Sequence, residues 1–121
     1  MLFTIADKDK EEALELAKRF HHLGFSFAAT EGTAKLISQA GMPVNIVPRI
    51  GESPQDIIWF IRQRRCDIVI NTISRSRNVE SDGAKMRRIA VERGIGCLTS
   101  LDTVDALLKT LERQNFNLGP L

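Results

Sequence analysis

The feature that most constrains this chain is an alternation, repeated five times, of short apolar runs with longer segments of helical periodicity. The apolar runs lie at 2–5, 25–28, 44–47, 67–70 and 97–98. Runs this short suit strands, and unbroken apolarity, clearest in Asp67-Ile68-Val69-Ile70, suits a strand covered on both faces. Between the runs the period changes. Over 10–23, Ala13, Leu14, Leu16, Ala17 and Phe20 recur at helical spacing, and Gly24 falls where a C′ glycine closes a helix. A second helix opens at Thr30-Glu31-Gly32-Thr33 and stops before Gly41 and Pro43. A third starts at Ser53-Pro54-Gln55-Asp56, with Ser53 as N-cap and Pro54 at the first helical position, and continues through Ile57, Ile58, Phe60 and Ile61. A polar loop spans 71–83, followed by a helix through Met86, Ile89, Ala90 and Val91 that Gly94 ends. The last helix begins at Ser100-Leu101-Asp102 and runs to about residue 111, leaving a frayed tail. Five βα units in succession predict an α/β fold: a parallel sheet with helices packed on both faces, forming one domain over 1–121.

Composition narrows the function classes. A chain of 121 residues, 43% hydrophobic and 26% charged, is long enough to bury a core of its own. Cys66 and Cys97 are too far apart for a CxxC pair and have no His/Cys cluster beside them, so they read as reduced thiols near strand ends, with no metal site and no disulfide framework. The net charge of +2 gives no global footprint for nucleic acid. Arginines do bunch locally, at Arg62, Arg64 and Arg65, at Arg75 and Arg77, and at Arg87 and Arg88; the first group suits a helix C-terminus. No apolar run approaches the ~20 residues of a membrane span, and the start lacks the pattern of a signal peptide, so the expected location is cytoplasmic, with no membrane partner.

In an open parallel sheet, ligands bind beyond the carboxyl ends of the strands. The segments expected there are 6–10, 29–33 and 71–74. Thr30-Glu31-Gly32-Thr33 supplies two hydroxyls, free backbone N–H groups and the positive end of a helix dipole, which together make a phosphate cradle. The same residues would serve plain N-capping by Thr30, and Glu31 opposes an anion. Lys10 adds a cation at the start of a helix, where the dipole disfavours it. His21 and His22, near a helix end, suit capping or surface roles. Trp59 falls off the Ile57/Ile61 face.

Taken together, Ala6-Asp7-Lys8-Asp9-Lys10, the run 25–34 around Ala29-Thr30-Glu31-Gly32-Thr33-Ala34, the run 67–72 ending in Asn71-Thr72, Asp82-Gly83, the run 86–95 and Leu98-Thr99-Ser100-Leu101 resemble the methylglyoxal-synthase-like (MGS-like) domain that ends the large subunit of carbamoyl-phosphate synthase, in its pyrimidine-specific Gram-positive form. The resemblance implies a three-layer sandwich with a five-stranded parallel sheet of order 3-2-1-4-5. It implies a regulatory fragment of a longer chain, an ATP-dependent ligase that uses ATP with Mg or Mn, works with a glutaminase small subunit and makes carbamoyl phosphate for pyrimidine and arginine biosynthesis. This domain would itself be non-catalytic and cofactor-free, binding UMP or phosphoribosyl pyrophosphate as allosteric effector. By that resemblance Lys10, Thr30 and Thr33 hold the effector's phosphate and Asn71 meets its nucleoside part, Gly32 and Thr72 join them in the effector site, and Arg49 stands in there for a lysine common in the family. Ile73 replaces a threonine that touches the effector in some members. The alternative is a phosphate-eliminating lyase of methylglyoxal synthase type. Its carboxylate and histidine positions align with Pro54, Ser74 and Ser81, although Glu52, Asp56 and Asp82 are acids close by.

Overall fold

In the computed structural model, which describes residues 1–117, the alternation becomes five strands and five helices. They run β1 (Leu2–Thr4), α1 (Lys10–His22), β2 (Phe27–Ala29), α2 (Glu31–Gln39), β3 (Val44–Ile46), α3 (Ile57–Arg62), β4 (Ile68–Asn71), α4 (Arg77–Glu92), β5 (Gly96–Leu98) and α5 (Leu101–Asn117), with a single 3-10 turn, Asp7–Asp9, leading into α1. All strand pairs are parallel and the order is β3-β2-β1-β4-β5. The order of strand addition reverses at β1, which pairs with β2 through Leu2–Ala28 and with β4 through Leu2–Val69, Phe3–Ile70 and Thr4–Asn71.

Side-chain alternation along the strands fills two separate cores. Phe3, Phe27, Ala29 and Ile70 pack with α1, α2 and α5, where Phe20, Ile37, Val104 and Leu108 are fully buried. Leu2, Ala28 and Val69 point the other way, onto Ile57 and Ile61 of α3 and Met86, Ile89 and Ala90 of α4. Three layers result, with α1, α2 and α5 on one side of the sheet and α3 and α4 on the other. Helix α1 ends as its sequence predicts: Gly24 takes φ +91°, its N–H donates to His21 O at 3.0 Å, and Phe25 N–H donates to Phe20 O at 3.1 Å.

Four expectations are corrected. Helix α3 starts at Ile57, because Asp56, and not Ser53, is its N-cap; the Asp56 carboxylate accepts from Ile58 N–H and Trp59 N–H at 3.1 Å each. Ser53 instead accepts from Gln55 N–H in the turn before. The polar loop is shorter than predicted, since α4 begins at Arg77. Val91 is 73% exposed and belongs to no core face. Finally, α5 extends past residue 111 to Asn117; the predicted tail beyond it lies outside the described residues. No helix among the described residues is long and apolar enough to cross a membrane.

Candidate functional site

A cleft of about 560 Å³ opens over the carboxyl ends of β1, β2 and β4. All seven residues expected from the sequence, Lys10, Thr30, Gly32, Thr33, Arg49, Asn71 and Thr72, line it. They come from four separate segments, which the 3-2-1-4-5 order gathers by setting β1 between β2 and β4.

On one wall, the first turn of α2 faces the cleft. Thr30 occupies the N-cap position with extended backbone (φ −70°, ψ 162°), yet its side chain makes no capping bond. The capping role weighed from the sequence is therefore unfilled, and the hydroxyl is left for another partner. Thr30 O accepts from Ala34 N–H at 2.8 Å, and the N–H groups of Glu31, Gly32 and Thr33 precede the first intrahelical bond. Lys10 reaches across from the start of α1: its Nζ lies 3.3 Å from where a β-carbon on Gly32 would stand. Asp7 holds the ammonium at 2.6 Å and offsets the unfavourable helix dipole; the pairing in turn draws the Asp7 carboxyl below its usual range. Ammonium, dipole and unpaired N–H groups thus converge on one point. Thr33 is only 6% exposed, so it is a buried part of this wall and not a surface residue.

Arg49 sits on the opposite rim, exposed, in the connection from β3 to α3. Glu31, Glu52 and Asp82 also border the cleft; Glu31 opens α2 itself, so its charge counts against an anion there while Lys10 and the helix start count for one. The floor is made of Thr4, Asn71 and Thr72, each at most 7% exposed. Asn71 Nδ2 donates to Thr4 Oγ1 at 2.6 Å, while Ala6 N–H donates to Thr72 Oγ1 at 2.7 Å. Behind the floor, Arg87 donates to Asn71 Oδ1 and to Glu80, and Glu80 accepts Ser74 N–H at 3.2 Å. Arg87 holds the Glu80 carboxyl below its ordinary value.

Thr4, Glu80 and Arg87 were missed from the sequence as parts of this site. Glu80 and Arg87, seven residues apart, fall on one helix face, a signal that could have paired them; Thr4 offers none. Ile73 is half exposed and outside the cleft lining. His21 and His22 lie at the far end of α1. Burial pushes the Cys66 thiol up to about 11 and raises Cys97 as well, so neither is a thiolate at neutral pH. Trp59 is partly buried beneath the Arg65 guanidinium, 5.2 Å from the ring centre. Asp56, one of the three acids near the lyase positions, is committed to the backbone: besides capping α3 it accepts from Gly51 N–H at 3.0 Å.

Fold and cleft together define a class, an open parallel α/β domain with a donor-rich crevice where strand order reverses. Within that class the chain belongs to the MGS-like domain family, whose model matches residues 12–99, from the first turn of α1 through β5. That family is compatible both with regulatory effector-binding domains and with enzymes of methylglyoxal synthase type.

Proposed function

We propose that this domain is the allosteric effector-binding module of a glutamine-hydrolysing carbamoyl-phosphate synthase large subunit, and that its ligand is a nucleoside monophosphate, UMP first, with phosphoribosyl pyrophosphate as a second candidate at the same site. The observation that carries the reading is the Lys10 ammonium standing over Gly32 at the uncapped start of α2. A phosphate placed there meets a full positive charge, up to three backbone N–H groups and the hydroxyls of Thr30 and Thr33. A sugar and base would extend over Thr4, Asn71 and Thr72. The parent chain, its ATP and divalent metal, its glutaminase subunit and its role in pyrimidine and arginine synthesis are parts of the same proposal.

A binder is favoured over a lyase by the way the nearby acids are used. Proton abstraction needs a carboxylate free to take the proton, whereas Asp56 already accepts three backbone N–H bonds. Glu52 and Asp82 border the cleft and keep the lyase as the second reading. Regulation follows from differential affinity: the ligand shifts the parent enzyme only as far as it binds one of its states more tightly than the other. Calorimetric titration of the domain with UMP, IMP and phosphoribosyl pyrophosphate tests the reading. Saturable binding of at least one is expected, and no heat from any of the three refutes it.

A further inference from the structure

The floor of the cleft holds a hydrogen-bond chain whose direction is set at one end. Arg87 Nη1 donates to Asn71 Oδ1, and Asn71 Nδ2 donates to Thr4 Oγ1 at 2.6 Å. A guanidinium has five N–H donors and no acceptor, so the amide atom that it touches must be the oxygen. Flipping the amide would set donor against donor, which removes the usual ambiguity between its oxygen and nitrogen. Nδ2 therefore faces β1, Thr4 Oγ1 accepts, and the one hydroxyl proton of Thr4 is left for another acceptor. Thr72 is in the same condition, because its Oγ1 already accepts from Ala6 N–H.

Two further features hold the chain in place. The second arm of Arg87 is paired with Glu80, which also ties down Ser74 N–H. Gly83, inside α4, lets the helix backbone pass close to the amide: a β-carbon there would stand 3.1 Å from Asn71 Oδ1 and 3.0 Å from Arg87 Nη1. Glycine inside a helix is unfavourable against alanine, and this close approach is its physical reason. The amide of Asn71 is thus backed by α4, which lies against its oxygen and, at 3.4 Å from the same β-carbon position, its nitrogen, and the nitrogen is turned to Thr4 on β1.

We infer that Arg87 is a positioning residue that, through Asn71, makes the cleft floor a set of hydrogen-bond donors, Thr4 and Thr72 among them, so that the site selects a ligand carrying carbonyl-type acceptors over one carrying an amino group at the same place. This inference rests on the phosphorylated-ligand reading above. A ligand amino group aimed at Thr4 would leave a buried hydroxyl proton without an acceptor, which costs the desolvation of that group.

UMP and CMP differ at ring C4, a carbonyl against an amino group, and with it at N3, an N–H donor in UMP and an acceptor in CMP; inorganic phosphate reports the anion subsite alone, so the three are titrated in parallel by calorimetry. The wild type is expected to prefer UMP over CMP by about tenfold or more, a difference of ~1.4 kcal/mol or more. Arg87→Met should bring the two nucleotides to within about twofold while inorganic phosphate binds as before, since a freed amide can present either edge. Arg87→Lys, still an obligate donor, should restore the preference. Thr4→Val, which deletes the terminal hydroxyl at nearly constant shape, should abolish it too, and decides the matter if Arg87→Met does not fold. Equal affinity for UMP and CMP in the wild type, or a preference that survives both Arg87→Met and Thr4→Val, overturns the inference and leaves the phosphate site standing. Failure of the wild type to bind any of the three overturns both readings.

Discussion

Gly32→Ala should make the protein slightly more stable and its ligand site worse, and the two effects have separate origins. Gly32 is the second residue of α2 and is absent from the glycines of positive φ, so its backbone needs no glycine. Alanine is favoured over glycine by about 0.8–1 kcal/mol in a helix interior, and about half of that is a fair expectation in a first turn. Against this gain stands one contact: the new β-carbon would lie 3.3 Å from Lys10 Nζ. That atom is the end of a flexible, partly exposed side chain and can retreat by a few tenths of an ångström at little cost. The net expectation is a stabilisation of about 0.5 kcal/mol. The methyl group, however, fills the gap between ammonium and helix start, where the phosphate is proposed to sit. Loss of one charge-assisted hydrogen bond costs about 1.5–3 kcal/mol, so phosphate and UMP affinity should fall tenfold or more. Urea unfolding measures the first effect and calorimetric titration the second. Unchanged binding, or a loss of stability beyond about 1 kcal/mol, would refute the reasoning.

Two further outcomes follow from the same geometry. Arg19 on α1 grips Glu112 at 2.6 and 3.2 Å and Asp105 at 2.6 Å on α5, and both carboxyls are thereby held below their usual range. Depressed carboxyl values stabilise the fold above the unfolded-state value near pH 4 and cease to do so as pH falls through the folded values; Arg19→Met should therefore be less stable than wild type at pH 7, with the gap narrowing at pH 3 in urea unfolding curves, and a gap independent of pH would exclude the ion pairs as its cause. Incubation with dihydroxyacetone phosphate should release no methylglyoxal above the uncatalysed background, whereas turnover abolished by Asp82→Asn would favour the lyase reading.

The strands and the two-sided sheet were legible because apolar runs of two to four residues, set between helical periods, have few other uses. Their spatial order was not: no periodicity in β1 says that β4 is its second neighbour, and the order came from the family resemblance alone. The start of α4 was hidden for a physical reason. Its first two turns meet the site with polar residues, Asp82 lining the cleft and Glu80 and Gly83 lying against Arg87 and Asn71 behind the floor, so the apolar period that marks a helix begins only at Met86. At α3, Ser53 and Asp56 are both good caps, and sequence alone does not say which one meets the free N–H groups. The threonines of the candidate site were readable because they bracket a glycine at a helix start, and Lys10 because it stands as a cation at the start of another helix. The Arg87–Asn71–Thr4 chain was not, since it joins residues 67 positions apart that meet only through strand pairing.

The central claim is that an anion binds between Lys10 and the first turn of α2, and titration of Lys10→Ala with UMP tests it most directly. The side chain is part exposed and, among the described residues, its only ion pair is with exposed Asp7, so the variant should fold like the wild type, which circular dichroism verifies in the same sample. UMP affinity should drop by about 1.5–3 kcal/mol, more than tenfold, as a charged hydrogen bond is lost. Wild-type affinity for UMP in a folded Lys10→Ala protein would contradict the account.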